Sequence, residues 1–325
     1  MDKTTDKARF TGLEFFSKKT NFNFLGRRRL LGIISAALIG LSLILLIPSV
    51  RGLNFGIDFT GGVLLEVGYA GPADLADIRS RLGAGGFGDA QVQNFGTSRD
   101  VMIRVLPREG ENNQQEADKI LAVLRAGDPS VELRRTEFVG PQVGDELSEQ
   151  GALAGLFAFI MIGIYVAVRF QWKFAVGALV ATLHDPLITL GIFALFQIPF
   201  DLSSLAAILA IVGYSVNDTV VVFDRIRENF RKIRRGTPEE IMNLSVNETL
   251  SRTIMTSVVT LLVVVAMLVF GGETLRGFSI ALCIGIFIGT YSSIYIASAV
   301  ALALKAGPAD IMAVKKDKDA VDSMP

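Results

Sequence analysis

The chain has 325 residues, half of which are apolar, and its 32 basic residues balance its 32 acidic residues. This composition excludes a soluble enzyme and is typical of a membrane protein. The single cysteine, Cys283, lies inside an apolar run, so no disulfide supports the fold, and we interpret it as a small buried side chain.

Six apolar runs are long enough to cross a bilayer, for which about 20 residues are needed. They cover residues 30–50, 151–168, 174–200, 202–223, 253–272 and 277–304. The first run is too long for the apolar part of a signal peptide, and no small-residue cleavage site follows it. We therefore predict a polytopic α-helical membrane protein with six spans, the first of which remains as an anchor.

Basic side chains cluster at four places beside the predicted spans. They are residues 27–29, Arg169 with Lys173, residues 225–235, and Lys305 with Lys315 and Lys316. The positive-inside rule places all four clusters in the cytoplasm, so both termini lie inside. The segment between the first two spans, which has more acidic than basic residues, then lies outside.

These assignments divide the chain into a series of domains. We predict a cytoplasmic segment 1–29, a first span 30–50, an extracytoplasmic domain 51–148, a five-span bundle 149–304 with a cytoplasmic loop 224–252, and a cytoplasmic tail 305–325. Inside the loop, helical propensity continues the fourth span to Gly236 as its C-cap. The following Thr237-Pro238-Glu239-Glu240 predicts a capping box that starts the next helix.

Alternating apolar residues replace the continuous apolar runs in the outer segment. The pattern predicts strands at 55–59, 63–67, 91–95, 101–106 and 131–139, and amphipathic helices at 73–82 and 113–125. A hairpin turn at 60–62 would join the first two strands. The resulting order ββαββαβ indicates a small α+β, ferredoxin-like domain with its helices on one face of a sheet.

One glycine-rich motif has the form of a nucleotide-binding sequence. Residues 83–88 match G-x-G-x-x-G, but the motif follows a predicted helix and precedes a strand, the reverse of the dinucleotide-binding context. We interpret it as a helix C-cap and loop. No Walker-A sequence occurs, so we do not expect nucleotide hydrolysis as the energy source, and no motif suggests nucleic-acid binding. We also expect no enzymatic activity, no cofactor, no metal site and no nucleic-acid partner.

The fourth predicted span carries a carboxylate, Asp218, in an apolar run. An ionised carboxylate at the bilayer centre costs about 3 kcal/mol on insertion scales, so such residues are usually functional. Tyr214, Ser215 and Thr219 share a helical face with it, and Asn217 lies beside that face. The face could hold or pass a proton, or it could only make hydrogen bonds between helices. We favour the proton-path interpretation.

Two further places carry polar residues near the spans. His184-Asp185-Pro186 lies near the middle of the third span, where the histidine could act as a proton switch or the group could fasten neighbouring helices. Arg252 begins the fifth span on the same side as Asp218. It could pair with that carboxylate, or it could reach outward to the interface as a snorkelling arginine.

Several motifs together resemble the SecF branch of the SecD/SecF family of bacterial protein-export membrane subunits. They are residues 213–229, the motif 56–62 after the first span, His184-Asp185, residues 201–205, and residues 250–253. The motifs stand in the family's order, and the resemblance runs from about residue 21 to residue 304. The motif that opens the outer domain contains Gly56, Asp58, Gly61 and Gly62.

The resemblance implies a function and a set of partners. A SecF-like subunit works with SecD beside the SecYEG channel and, like the related RND-type exporters, uses the proton-motive force to help a preprotein leave the channel. The resemblance implies that Asp218 lies on the proton path and that Arg252 acts with it. Because this chain has one copy of the aspartate motif, we expect SecD to supply the matching acidic group.

Two other functions are compatible with the same residues. The chain could be a stand-alone RND-like proton-coupled exporter, which would need a substrate cavity within one copy. It could also be a non-transporting scaffold, in which case Asp218 and Arg252 could be replaced together by apolar residues without loss of export.

Overall fold

A computed structural model describes residues 20–107 and 113–310 of the chain. Lys315, Lys316 and most of the predicted terminal segments lie outside these described residues. Within them, six helical segments are long and apolar enough to cross a membrane. The prediction of a polytopic α-helical protein with six spans is therefore confirmed.

The first span and the segment after it differ in part from the predicted pattern. The span contains α1 (Arg28–Leu46), and the chain then forms a two-residue strand, β1 (Asn54–Phe55), and a one-turn helix, α2 (Ile57–Thr60). The predicted strand at 55–59 and its hairpin are therefore wrong. Phe55 at the end of β1 and Phe59 in α2 lie on one side, and both rings pack within about 6 Å of the Phe200 ring.

The remaining outer segment forms the predicted α+β domain. Its elements are β2 (Gly62–Gly68), α3 (Leu75–Ala84), β3 (Gln91–Phe95), β4 (Thr97–Val105), α4 (Asn113–Gly127) and β5 (Glu132–Val139). The strands form one antiparallel sheet in the order β3-β4-β2-β5. A βαββαβ chain with this strand order is the ferredoxin-like arrangement.

Alternating side chains of the sheet build the core of this domain. Val63, Leu65 and Val67 of β2 are fully buried and share a cluster with Leu82 of α3 and Leu124 of α4. Because successive strand residues point to opposite faces, Leu64 lies on the other face of the sheet. There it packs with Ile57 and Met102 and lines a cavity together with residues at the start of the fourth span. The glycine-rich residues 83–88 end α3 and form its loop, as predicted.

Five spans follow the outer domain. α5 (Pro141–Arg169) begins directly after β5, and α6 (Trp172–Phe196) and the short strand β6 (Pro199–Phe200) come next. α7 (Leu202–Lys232) and α8 (Pro238–Phe270) form the fourth and fifth spans. The last span joins α9 (Arg276–Ser292), a π-helical turn (Ser293–Ala297) and α10 (Ser298–Ala303).

The spans divide into inner and outer helices. In α6, α7 and the last span, half of the residues in the apolar 18-residue stretch are buried inside the protein. In the first span, α5 and α8, only 11% of that stretch is buried. The three inner helices therefore form the centre of the bundle. They are also the spans that carry Asp185, Asp218 and several serines, so the polar groups lie where protein and not lipid surrounds them.

The connection between α7 and α8 contains the predicted capping box. The Thr237 side chain accepts from the backbone of Glu240, and the Glu240 side chain accepts from the backbone of Thr237. The predicted C-cap at Gly236 is wrong, because α7 ends at Lys232 with Ile233 as its cap. Gly236 instead has a φ of 115° in the turn that leads to Thr237, a conformation that favours glycine.

Candidate functional site

A first polar cluster surrounds Asp185, which is fully buried on α6. Its Oδ1 lies 2.8 Å from His184 Nδ1. Its Oδ2 accepts hydrogen bonds from Ser215 of α7 and, at 2.8 Å, from Ser292 of α9. Burial of a carboxylate is tolerated when hydrogen bonds replace water. Asp185 therefore joins all three inner helices at one point.

His184 connects this cluster with an apolar cavity. The imidazole is 1% exposed, and its Nε2 has no hydrogen-bond partner among the described residues. The ring lines a cavity of about 390 Å³ between α1, α6 and α9, and its centroid lies 6.1 Å from that of the Tyr291 ring. One nitrogen thus faces Asp185, while the other faces no polar partner among the described residues.

A second cluster surrounds Asp218, which is 7% exposed on α7. Its Oδ1 accepts a hydrogen bond of 2.7 Å from Thr253 Oγ1 of α8. Its Oδ2 is buried and has no hydrogen-bond partner within the described chain. An unsatisfied buried acceptor costs about 1–3 kcal/mol, and more when it is charged. This oxygen is therefore a site that a proton or a further donor would stabilise.

The polar face predicted on α7 divides between two neighbouring helices. Tyr214 donates to Ser257 of α8 at 3.1 Å, on the side toward which Asp218 also points. Ser215 reaches Asp185, and Thr219 Oγ1 lies 3.0 Å from Ser293 Oγ in the last span. Asn217 is exposed. The structure thus joins Ser215 to Asp185, a pair that sequence reasoning did not connect.

Two adjacent serines, at the end of α9 and the start of the π-helical turn, lie between the two clusters. Ser292 donates to Asp185, and the next residue, Ser293, contacts Thr219, which directly follows Asp218. Ser293 Oγ also lies 2.9 Å from the carbonyl oxygen of Gly289. π-Helical turns inside α-helices are frequent at functional sites. Sequence reasoning missed these serines, although two adjacent hydroxyls in a charge-free span were a usable signal.

Arg252 does not pair with Asp218 in this structure. The arginine is exposed on α8, whereas the next residue, Thr253, is 1% exposed and makes the contact with Asp218. The two charges interact only at longer range, since no ion pair within 4 Å joins them among the described residues. A functional role for Arg252 stays a prediction.

The glycine motif after the first span binds the outer end of α7. The backbone nitrogen of Gly56 donates to the carbonyl of Phe200 at 2.8 Å, and Asp58 Oδ2 accepts from the backbone nitrogen of Leu202 at 2.9 Å. Gly61 and Gly62 have φ values of 67° and 115°. A Cβ at Gly62 would lie 2.2 Å from the carbonyl oxygen of Val105 in β4, so the turn requires glycine.

Arg104 of β4 holds the same junction from the side of the outer domain. Its Nη1 donates to the carbonyl of Phe55, to Asn54 Oδ1 at 3.1 Å and to Gln91 Oε1 at 3.3 Å. Burial lowers the pKa of the guanidinium below its usual value, whereas Asp201 and Asp58 act in the opposite direction. The sheet is thereby tied to the segment that contacts α7.

Fold and site together define a class: a six-span helical membrane protein with two buried carboxylates in its centre and a ferredoxin-like domain attached to the helix that carries one of them. Two family models match the chain. Residues 119–307 match the C-terminal region of the protein export membrane proteins SecD and SecF, and residues 47–73 match the SecD/SecF GG motif. The chain belongs to the SecF branch of this family of protein translocase subunits.

Similar proteins cover most of the chain. It is 52% identical over 280 residues to the protein translocase subunit SecF of Vibrio alginolyticus, with 85% of this chain and 89% of that protein covered. It is 50% identical over 275 residues to SecF of Pseudomonas aeruginosa, with the same coverage. These relatives are named as subunits of a translocase, which is a transport component.

A solved structure has the same fold. The crystal structure of SecDF, a translocon-associated membrane protein from Thermus thermophilus, matches with a TM-score of 0.79 and 37% identity. The match covers 88% of this chain but 39% of that one, so the chain spans about two fifths of the length of SecDF. SecDF in its super-membrane-facing form matches with a TM-score of 0.67.

Proposed function

We propose that this chain works with SecD to couple the proton-motive force to preprotein translocation through the SecYEG channel. The proposed location is the bacterial cytoplasmic membrane, with both termini inside. The observation that carries the proposal is the buried carboxylate of Asp218, which has one hydrogen-bonded oxygen and one without a partner among the described residues. Such a group changes its interactions strongly when it gains or loses a proton.

The available energy is sufficient to change helix packing. One charge that crosses 100 mV releases about 2.3 kcal/mol. A difference of one pH unit adds about 1.4 kcal/mol. For comparison, a single hydrogen bond between helices, such as that from Thr253 to Asp218, contributes about 1 kcal/mol net. The proton gradient is the energy source in this proposal, and no cofactor takes part.

The polar network supports a role for the second carboxylate as well. Asp185 and Asp218 lie on neighbouring helices, and Ser292 and Ser293 contact Asp185 and Thr219 respectively. We assign Asp185 and His184 to the same proton path, with the serines as hydroxyl groups that can both donate and accept. Protonation at one carboxylate would then alter the hydrogen bonds at the other.

The outer domain is the part that the proton cycle would move. Asp58 contacts the first residue of α7, and Asp218 lies 16 residues further along the same helix. At 1.5 Å per residue, this helix transmits a shift over about 24 Å. A tilt of α7 at Asp218 would therefore reach the Gly56–Gly62 segment, and the domain could act on a preprotein outside the membrane.

Two observations support SecD as the partner. Arg252 lies exposed on the peripheral helix α8, next to the residue that binds Asp218. A charged side chain on a membrane-facing helix surface is stabilised by a partner that supplies an opposite charge. The related SecDF chain is also much longer than this one. A proton path between two related halves would be complete only in the heteromer.

The test compares the chain in proteoliposomes with SecD and SecYEG, under an imposed proton gradient, with and without the substitution Asp218→Asn. We expect Asp218→Asn to assemble normally and to lose the stimulation of export by the gradient. Asp224→Asn is the matched control, because it makes the same chemical change on a half-exposed carboxylate of the same helix, which pairs with Arg169 and not with the Asp218 cluster. It should keep the stimulation.

The outcomes separate the proposal from the two other functions. A non-transporting scaffold would export normally when Asp218 and Arg252 are both replaced by leucine. A stand-alone exporter would show proton-coupled transport in vesicles that contain this chain without SecD. If Asp218→Asn and Asp224→Asn retain the same stimulation, Asp218 is not on the proton path.

A further inference from the structure

Charged side chains line an open cavity where α5 ends and α7 continues beyond the apolar core. The cavity has a volume of about 430 Å³, and all six of its lining residues are charged. They are Arg169, Asp224, Arg227, Glu228, Arg231 and Lys232. Four of the six are basic, so the cavity has an excess of two positive charges. The proposed export function uses none of these residues.

The two carboxylates of the cavity are already paired. Arg169 Nη2 donates to both oxygens of Asp224, at 2.9 and 2.7 Å. Glu228 accepts from Lys232 and, at 2.6 Å, from Arg225. The acidic residues therefore satisfy one arginine and one lysine of the cavity, and they leave little capacity for the other two cations.

Arg227 and Arg231 keep unused donors. Arg227 approaches Asp224 only to 3.7 Å, and its Nη1 donates to the carbonyl oxygen of Arg169 at 3.3 Å. Its Nε is buried with no hydrogen-bond partner, and its Nη2 makes no hydrogen bond among the described residues. Arg231 makes no ion pair with a carboxylate in the part of the chain that the structure describes, and it lies near Arg227, a like charge. Two guanidinium groups with free N–H donors on one side of a cavity are the usual recognition pattern for a phosphate.

An aromatic ring restricts two arginines of the cavity, Arg169 and Arg227. Phe170 is 4% exposed, and the guanidinium carbons of Arg169 and Arg227 each lie 5.3 Å from its ring centroid. Such cation–π contacts restrict the side chains that would otherwise be mobile. The cavity is therefore partly organised before any ligand arrives.

The surface beside the cavity is apolar and faces the surroundings of the bundle. Tyr165, Met161 and Phe157 precede Arg169 at four-residue intervals on α5, and each is more than half exposed. Residues four apart lie on the same face of a helix, so they form a stripe that leads from Arg169 along the membrane span. Trp172, at the start of α6, is 63% exposed and is a residue type typical of the membrane interface.

We propose that this cavity binds the phosphate of an anionic phospholipid, whose acyl chains lie on the α5 stripe. Arg227 and Arg231 donate to the phosphate, while Arg169 and Lys232 add positive charge. The net charge of the cavity selects an anionic headgroup over a zwitterionic one. The stripe favours a lipid over a soluble phosphate compound, because it continues the cavity along the apolar part of the span.

The experiment measures the thermal midpoint of the full-length chain in detergent micelles during titration with dioleoyl-phosphatidylglycerol. Dioleoyl-phosphatidylcholine and inorganic phosphate are titrated in parallel. We expect phosphatidylglycerol to raise the midpoint in a saturable manner and the other two ligands to leave it unchanged. The double substitution Arg227→Gln with Arg231→Gln should weaken the apparent affinity at least tenfold.

A charge-matched control separates a site from general attraction. Arg234→Gln with Arg235→Gln removes the same charge from exposed residues that lie outside the cavity. It should keep the affinity of the unmodified chain. Equal losses in the two double variants would overturn the proposal, as would equal responses to phosphatidylcholine and phosphatidylglycerol.

The remaining outcomes identify other ligands. An equal rise of the midpoint with inorganic phosphate would assign the cavity to a soluble phosphate compound and would reject the lipid. If the glutamine variant does not fold, Arg227→Lys with Arg231→Lys replaces it, since lysine keeps the charge but lacks the planar fork. A loss of affinity in the lysine variant supports the site, and full affinity argues against recognition by the two guanidinium groups.

Discussion

Thr253 Oγ1 donates a 2.7 Å hydrogen bond to Asp218 Oδ1, and this contact joins α8 to α7 at a carboxylate whose other oxygen, Oδ2, has no hydrogen-bond partner among the described residues. Thr253→Val should therefore lower the free energy of unfolding by about 1–3 kcal/mol, because it leaves a buried carboxylate without its donor. Thr253→Ser keeps the hydroxyl and should lose less than half as much.

The same pair allows a double-mutant cycle. In an Asp218→Asn background, Thr253→Val should be less destabilising, because a neutral acceptor makes a weaker hydrogen bond than an ionised one. The measurement is thermal or denaturant unfolding of the purified chain in detergent. Equal losses in the two backgrounds would show that Thr253 does not act through Asp218.

Packing of the first span depends on Gly191 of α6. A Cβ at this residue would lie 2.1 Å from Ser42 Oγ and 2.8 Å from Ser42 Cα, so α1 would have to move. We expect Gly191→Ala to destabilise the bundle by about 1–3 kcal/mol. Gly213→Ala is the control, because nothing lies within 4 Å of its added Cβ and alanine favours the helix by about 0.5–1 kcal/mol. Thermal unfolding in detergent compares them, and similar midpoints would contradict this account.

The outer domain depends on the backbone of Gly62. A φ of 115° and a Cβ position 2.2 Å from the carbonyl oxygen of Val105 make any side chain strained there. Gly62→Ala should cost about 2 kcal/mol or more and should speed hydrogen exchange in β2 and β4. Gly88→Ala in the same domain meets nothing within 4 Å and should leave that exchange unchanged. If hydrogen exchange in β2 and β4 stayed slow in both variants, the requirement for glycine at residue 62 would be contradicted.

Contact between the outer domain and α7 depends on Asp58. Asp58→Ala removes the acceptor for the backbone nitrogen of Leu202 and should cost about 1 kcal/mol. If α7 moves the domain, the variant should also reduce the stimulation of export by a proton gradient. Asp74→Ala removes a similar cap from α3, away from the junction, and should leave export unaffected. Export assays decide, and equal effects of the two substitutions would argue against coupling through Asp58.

The stability of the outer domain should fall in alkaline solution. Burial, with a smaller contribution from Asp128, raises the pKa of Tyr69 from 10.0 to about 12. Between these pH values the unfolded chain releases the phenolic proton and the folded chain keeps it. The contribution of Tyr69 to the free energy of unfolding is therefore fully present below pH 10 and is lost as the pH rises toward 12. A titration of phenolate absorbance measures the folded pKa. Tyr69→Phe should remove this part of the decline, and an unchanged decline would exclude Tyr69 as its cause.

The sequence alone determined the membrane spans and most of the outer domain. Long apolar runs need lipid, and alternating residues such as Val63, Leu65 and Val67 need one buried sheet face, so local patterns were sufficient. The capping box at Thr237 was equally local. Asp218 could be identified from the sequence because a carboxylate in an apolar run is unusual, whatever the neighbours of the helix are.

Only the tertiary structure decided which polar groups meet. Phe55 and Phe59 fit a single strand, but both pack on the ring of Phe200, which lies 141 or more residues further along the chain, and the residues after Phe55 form a helical turn instead. In the same way, Ser292 reaches Asp185 across 107 residues. Such partners depend on the rotation and depth of each helix, which are set by packing between helices and have no local signature. The sequence therefore indicated the carboxylates, and the packing of the helices decided which hydroxyl groups meet them.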